Sequence, residues 1–537
     1  MRLLVARRKV AWEAMRRTLH LSVLTAACST FVVLAPLGAH TLLAQQARTA
    51  HGLRDLAAYT GQAVTAWGIP GLALAVVKDD SIVFAQGFGV RKLGDAAPVT
   101  PRTLFAIGSC TKAFTAAALA MLVDSGKLAW DDPVTQYLKG FQLYDPYVTR
   151  ELTVRDLLTH RSGLMRGDAL WYATPYDRDE VLRRIRYLKP SWSFRSRYGY
   201  QNIMFLAAGQ LVPAVTGMSW DDFVQRRLFA PLGMSATTTS VTALARTADV
   251  ATPHERVAGK VQPVAWRNLD NIGPAGAINS NVLDMAQWLR LQLGTGAYRG
   301  ARLISPAGMK EMHAPQTLIP LDSITERLRP STHFLAYGLG WSLADYRGRK
   351  LVSHGGAIDG FRALVGLVPE ERLGVVVLSN GGELGRALTN ALFLRVVDAY
   401  LGGAPTDWSA ELFRVRNDQM ARDSADEAKQ EHARVAGTKP TLDLAAYAGS
   451  YQNEMYGAVT VTLEQGALVM RFGPSYTGDL SHWHFDTFKA KWRDPEEGWD
   501  LVAFTLNAEG KIDHLRWPGL GDFARLAQAA DSARTPP

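Results

Sequence analysis

The chain has 537 residues, 47% of them apolar, two cysteines and a formal net charge of +9. That length allows two or three domains, and two cysteines exclude a disulfide framework or a multi-cysteine metal site. Residues 1–44 hold six basic side chains and one acidic, a net of +5, so the remainder carries +4, which is no nucleic-acid footprint.

Taken in chain order, Arg2, Arg7, Arg8, Lys9, Arg16 and Arg17 precede the apolar stretch Leu19 to Leu43, which ends in small residues at Ala44. This reads as an export signal over residues 1–44, predicting a periplasmic or secreted protein. A retained anchor is disfavoured because Pro36, Gly38 and His40 interrupt the stretch, so no stable transmembrane domain is expected. Lipidation at Cys28 is disfavoured by Thr25 and by the apolar run continuing past it. Removal of the signal leaves Cys110 as the sole cysteine.

Leu53 to Trp67 has helical periodicity that Gly68-Ile69-Pro70-Gly71 stops. Leu72 to Val77 and Ile82 to Phe88 read as a hairpin of core strands. Phe105-Ala106-Ile107-Gly108 then leads into the Ala-rich helix from Ala113 to Val123, which places Ser109 and Lys112 one above the other on a helical face. Glu151 to Leu158 is a short helical pattern ending at Thr159-His160-Arg161-Ser162-Gly163-Leu164. Arg166 to Pro190 has little periodicity and predicts a loop-rich lid or wall over a cleft. Ser196 to Asn202 leads into a helix over Ile203 to Val212, and Asn281 to Leu291 is another, with Ser280 or Asn281 as its cap. Ser240 to Gly276 reads as a long irregular wall.

Leu351 to Gly356, Ala363 to Leu367 and Gly374 to Ser379 are strand segments, and Glu383 to Tyr400 is a closing helix. Strands early and late with helices between predict an α+β catalytic domain over residues 50–400, its antiparallel sheet flanked by helices. Residues 401–440 read as a helical linker. Residues 441–530 read as an all-β, barrel-like domain, with strands at Val459 to Leu463, Ala467 to Phe472, His484 to Ala490, Leu501 to Leu506 and Ile512 to Trp517.

Ser-x-x-Lys is a spacing used for serine acyl transfer with a lysine partner. Ser109 is the nucleophile candidate, and Lys112 can serve as its base if burial or a neighbouring cation lowers its pKa. Tyr200 can relay the proton if held beside that lysine, and Asn202 can fix both. The rival reading of Ser109 and Lys112 is a plain helix start and a surface lysine. Cys110 lies off the lysine face and reads as a buried structural thiol, and His160 as a structural hydrogen-bonding residue. His482 and His484 are too few ligands for a zinc site, and no strand-helix glycine loop suits a nucleotide, so no cofactor is expected.

Ser109-Cys110-Thr111-Lys112, Tyr200-Gln201-Asn202 and His354-Gly355-Gly356, in that order, resemble the three motifs of the class C beta-lactamase-like serine hydrolases. This family includes beta-lactamases, D-peptidases and esterases. Leu157 to Leu164 and Pro274-Ala275-Gly276 are similar to the family's accessory stretches, and the resemblance covers roughly residues 50 to 400. It implies an acyl-enzyme at Ser109, with Lys112 and Tyr200 sharing proton transfer. Asn202 would position Lys112 and the substrate. The backbone N–H groups of Ser109 and Ala357 would form an oxyanion hole, and His354, Gly355 and Gly356 would edge the substrate cleft. The third motif lacks the lysine and hydroxyl of true beta-lactamases, which favours a small ester or peptide amide over penicillin. The alternatives are a D-amino-acid or cell-wall peptidase, a weak beta-lactamase, and a non-catalytic peptidoglycan-binding or sensor protein. The C-terminal domain resembles a module that in a related peptidase group shapes the site entrance or the oligomer. Trp483, Trp492 and Trp499 either serve that role or form the module's core.

Overall fold

The computed structural model describes residues 55–402, 406–494 and 497–527; the expected export signal and Cys28 lie outside them. Packing divides the chain into two units, residues 1–58 with 396–406 and residues 59–395 with 407–537. The described part of the first comprises the start of α1 (Leu56–Trp67) and the end of α5 (Gly382–Leu401), where Leu56, Val396, Val397 and Tyr400 are buried. The second unit carries the features below. Among the described residues no single helix is long and apolar enough to cross a membrane.

An antiparallel eight-stranded sheet organises the catalytic portion. Its strands are β1 (Gly71–Lys78), β2 (Ser81–Gly89), β3 (Thr317–Ile319), β4 (Leu335–Tyr337), β5 (Ser342–Tyr346), β6 (Arg349–Ile358), β7 (Phe361–Val368) and β8 (Leu373–Ser379), in the spatial order β2-β1-β8-β7-β6-β5-β4-β3. The first hairpin therefore docks on the last strand, with Leu72 opposite Ser379. The Val/Leu/Ala-rich β1, β7 and β8 are buried on both faces, as strands between two helical layers are. β2 is mostly exposed at the sheet edge, so the expected pair of core strands is one core strand and one edge strand.

Four helices matter for the site: α2 (Thr111–Asp124), α3 (Asn202–Thr216), α4 (Val282–Leu293) and α5. Asn281 caps α4 by accepting from the N–H groups of Leu283 and Asp284. Gly374 approaches Leu289 of α4, whereas Gly366 is notched for Phe393 of α5. Gly366 pairs with Val375, the neighbour of Gly374, so the two glycines face opposite sides and the helices cover opposite faces. α3 runs past the expected Val212 to Thr216 and contains Pro213. The expected irregular stretch after Arg166 contains a helix, Arg178–Arg184, which Asp177 caps and Glu180 pairs internally with Arg183 and Arg184. The expected wall over 240–276 includes a hairpin, His254–Val257 with Lys260–Pro263.

After α6 (Trp408–His432) the chain closes an eight-stranded barrel. Its strands are β9 (Gly449–Asn453), β10 (Gly457–Glu464), β11 (Ala467–Phe472), β12 (Tyr476–His484), β13 (Thr487–Trp492), β14 (Trp499–Leu506), β15 (Ile512–Trp517) and β16 (Gly521–Arg525). The expected strand over His484 to Ala490 starts later, at Thr487: His484 ends β12, and Phe485-Asp486 is the turn between the two strands, with Phe485 at φ +47° and Asp486 accepting from the Thr441 N–H. Trp492 is buried in the barrel, stacked on Trp517. Trp483 stacks on Trp499, whose indole donates to Glu427 of α6. None of the three tryptophans is among the residues lining the cavity beside Ala357; Trp492 packs the barrel, and Trp483 and Trp499 stack where the barrel meets α6.

The barrel also meets the catalytic portion. Tyr176 donates to the Tyr456 carbonyl at 2.9 Å, and Arg184 donates to the carbonyls of Glu454 and Met455. A Cβ at Gly457 would sit 2.2 Å from the Tyr176 hydroxyl, so glycine permits this approach.

Candidate active site

Ser109 stands in a single 3-10 turn, Gly108–Cys110, that runs into α2. Gly108 has φ +49°, and a Cβ there would lie 2.7 Å from the backbone nitrogen of Ala357. A Cβ at Gly356 would lie 1.9 Å from the Ile107 carbonyl oxygen. Two glycines thus bring the nucleophile turn and β6 backbone to backbone.

Three residues on, Lys112 is fully buried. Its nitrogen lies 3.0 Å from Ser109 Oγ, 2.7 Å from Asn202 Oδ1 and 2.9 Å from the Ala275 carbonyl oxygen. Asn202 opens α3, and its Nδ2 donates to Asp168 Oδ1 at 3.0 Å, which turns its oxygen toward the lysine. The Ala275 carbonyl is fixed through its neighbour. Thr115 donates to the Pro274 carbonyl at 2.6 Å, and the Pro274 ring packs into the notch at Gly209. Burial, then the charge of Arg166, hold the Lys112 ammonium well below its ordinary pKa.

Tyr200 donates to Ser109 Oγ at 2.7 Å, and burial raises its pKa, so it keeps its proton. The structure therefore gathers Ser109, Lys112, Tyr200 and Asn202 into one hydrogen-bonded cluster. Cys110 points elsewhere: its thiol contacts the His354 carbonyl at 3.2 Å, and burial pushes its pKa to about 12.

His354 is 4% exposed. Tyr337 hydroxyl lies 2.7 Å from its Nε2, the Gly355 carbonyl 2.7 Å from its Nδ1, and burial lowers its pKa to about 3. Its ring centroid is 6.5 Å from that of Tyr200, so it supports the tyrosine side of the cluster as a neutral group. Gly355 lines a different cavity, of about 640 Å³, together with Ser353, Leu364 and Phe393. The extended strand turns consecutive residues to opposite faces, which separates Gly355 from its neighbours in the motif. Ala357 lines a cavity of about 370 Å³ with Arg166, Asp168, Tyr172, Asp359 and Glu497.

Several participants carry no motif of their own. Asp168 and Arg166 come from the stretch expected to be a lid, and Ala275 contributes only its carbonyl. Glu497 comes from the barrel. Arg267 joins the cavity wall to that domain: Nε donates to Asp359 Oδ2 at 2.6 Å, Nη1 to Ser475 Oγ at 3.4 Å, and Glu497 Oε1 lies 3.8 Å away. Tyr172 donates to the same Asp359 carboxylate. Loop charges of this kind have no periodic signal in sequence.

The fold and the clustered motifs define a protein of the beta-lactamase and D-peptidase-like class with a C-terminal closed barrel. The chain belongs to the Beta-lactamase family, whose model matches residues 56–398; residues 433–532 match a domain of unknown function, DUF3471. It is thus a member of a hydrolase family related to beta-lactamases and D-amino-acid peptidases. An unguisins hydrolase of Aspergillus campestris is 31% identical over 431 residues, covering 77% of this chain and 78% of the relative. A D-aminopeptidase of Brucella anthropi is 30% identical over 329 residues, covering 58% of this chain and 56% of that protein. Among solved structures, an octameric penicillin-binding protein homologue from Pyrococcus abyssi aligns over 88% of this chain and 99% of its own, with a TM-score of 0.60 and 22% identity.

Proposed function

We propose that the protein is a serine hydrolase that forms an acyl-enzyme at Ser109 and acts on small peptide amides or esters. The observation that carries this is the environment of Lys112. Its two acceptor neighbours, Asn202 Oδ1 and the Ala275 carbonyl, use both N–H bonds of a neutral amine, leaving the lone pair for the Ser109 hydroxyl. Burial favours that neutral form.

In the proposed reaction the Ser109 proton passes to the Lys112 lone pair as Oγ bonds to the substrate carbonyl carbon. The carbonyl π electrons move to its oxygen, held by the N–H groups of Ser109 and Ala357. When the tetrahedral species collapses, the bond to the leaving amine or alcohol breaks and Tyr200 supplies its proton. Lys112 then re-protonates Tyr200, returning the proton it took from the serine. Water attacks the acyl-enzyme by the reverse relay, releasing the acid and regenerating Ser109.

A neutral His354 offers no cation where beta-lactamases use a lysine to hold the substrate carboxylate, which supports amide or ester substrates over penicillins. The D-aminopeptidase relative favours a peptidase with D-residue preference as the second reading. Export through residues 1–44 belongs to the same proposal and rests on their basic-then-apolar sequence. The test is turnover of an activated short-chain ester, a D-alanyl peptide, its L-alanyl counterpart and a penicillin, each beside Ser109→Ala. Ser109-dependent turnover of ester or peptide with little of penicillin is expected. Efficient penicillin turnover, or turnover surviving the substitution, would overturn the reading.

A further inference from the structure

We infer that His160 is a positioning residue for Tyr200, gripping the backbone on both sides of it so that its hydroxyl stays on Ser109. The inference rests on the hydrolase reading above only for its kinetic consequence.

His160 is fully buried and has φ +55°, a left-handed conformation that costs a non-glycine residue roughly 1 kcal/mol or more. It follows the short helix Val154–Leu157, which Thr153 caps in a capping box with Asp156, and Asp156 is anchored by Arg161 and Arg195 at 2.6 Å each. From this held turn, His160 makes two hydrogen bonds to one short segment. Its carbonyl accepts from the Gly199 N–H at 2.8 Å, and its ring Nδ1 accepts from the Gln201 N–H at 3.0 Å. Those two amides flank Tyr200. The imidazole also lies against the tyrosine ring, with centroids 4.2 Å apart.

An Nδ1 that accepts places the ring proton on Nε2. Burial lowers the His160 pKa well below its ordinary value, so the accepting lone pair persists. Phe205, Tyr198 and Tyr337 complete the packing around the ring. The 2.7 Å contact between Tyr200 and Ser109 is set by where the 199–201 backbone runs, and an ångström of displacement at such a contact can cost about 100-fold in rate.

The test compares wild type with His160→Gly and His160→Asn. Both replacements tolerate a positive φ, but only asparagine keeps a side-chain acceptor near the Nδ1 position. Two readouts are taken: amide exchange of the 198–202 segment, and kcat and KM on an activated ester. The glycine variant should exchange about tenfold faster or more and lose about 10- to 100-fold in kcat with KM little changed. Asparagine should restore both to within a few-fold of wild type. Wild-type exchange and kcat in the glycine variant would overturn the inference, as would an asparagine variant as impaired as glycine at an unchanged melting temperature. Should the glycine variant not fold, His160→Asn against wild type decides by the same criteria. If wild type itself shows no Ser109-dependent turnover, the hydrolase reading fails and the exchange comparison alone decides what His160 holds.

Discussion

Two basic groups near the cleft have opposite surroundings. Lys112 is buried among an amide oxygen, a carbonyl and a hydroxyl, and its pKa falls. Arg267 is also desolvated, which by itself would lower its pKa, but Asp359 and Tyr172 outweigh that and raise it. Asp168 reaches Lys112 only through Asn202, which leaves the lysine pKa lowered, whereas Asp359 pairs directly with Arg267 and ties the cavity wall to the barrel. Burial alone decides neither outcome; direct contact with a carboxylate does.

The comparison breaks hardest at Lys112. Lys112→Arg installs a cation that stays protonated, so acyl transfer should fall by about 10³-fold or more with the fold retained by circular dichroism. Near-normal rates in that variant would show that a neutral base is not required. Tyr200→Phe should follow with a loss of about 10²- to 10³-fold in kcat, most severe for substrates with poor leaving groups. At the other pole, Asp359→Asn removes the counter-charge from Arg267 and should cost about 2–3 kcal/mol of stability, read from the denaturation midpoint. Covalent labelling of Ser109 should be preserved there.

A smaller, graded effect comes from His354. Its folded pKa of about 3 is below the unfolded value of about 6.5, so between these limits the unfolded chain binds the extra proton. Stability from this group is complete above pH 6.5 and declines toward pH 3, by up to about 1.4 kcal/mol per pH unit. His354→Gln should flatten that part of the stability profile measured by urea titration, and an unchanged slope would count against a buried neutral imidazole.

Much of this was legible because the chemistry sits on regular elements. The run of alanines after Lys112 specifies α2, and the Ser109 to Lys112 spacing then follows from helix geometry. Tyr200 and Asn202 were readable because they flank a helix start. The sheet was legible from its late strands, but β2 reads as a core strand in sequence since Ile82, Val83 and Phe84 have the same composition whether a neighbour covers them or not. Ala275 acts through its backbone, which no side-chain pattern reveals. Asp168, Asp359 and Glu497 converge only after loops and a second domain fold together. Gly355 shares a motif with His354 and Gly356, yet strand alternation sends it to another cavity.

The central claim is tested most directly by the rate at which a fluorophosphonate adds to the intact protein, followed by mass across pH in wild type, Ser109→Ala and Lys112→Ala. One adduct on Ser109 is predicted, forming faster as pH rises and levelling off well below the ordinary lysine pKa. It should be absent in Ser109→Ala and slowed by orders of magnitude in Lys112→Ala. An adduct that survives Ser109→Ala, or a Lys112→Ala rate and pH profile matching wild type, would contradict the account.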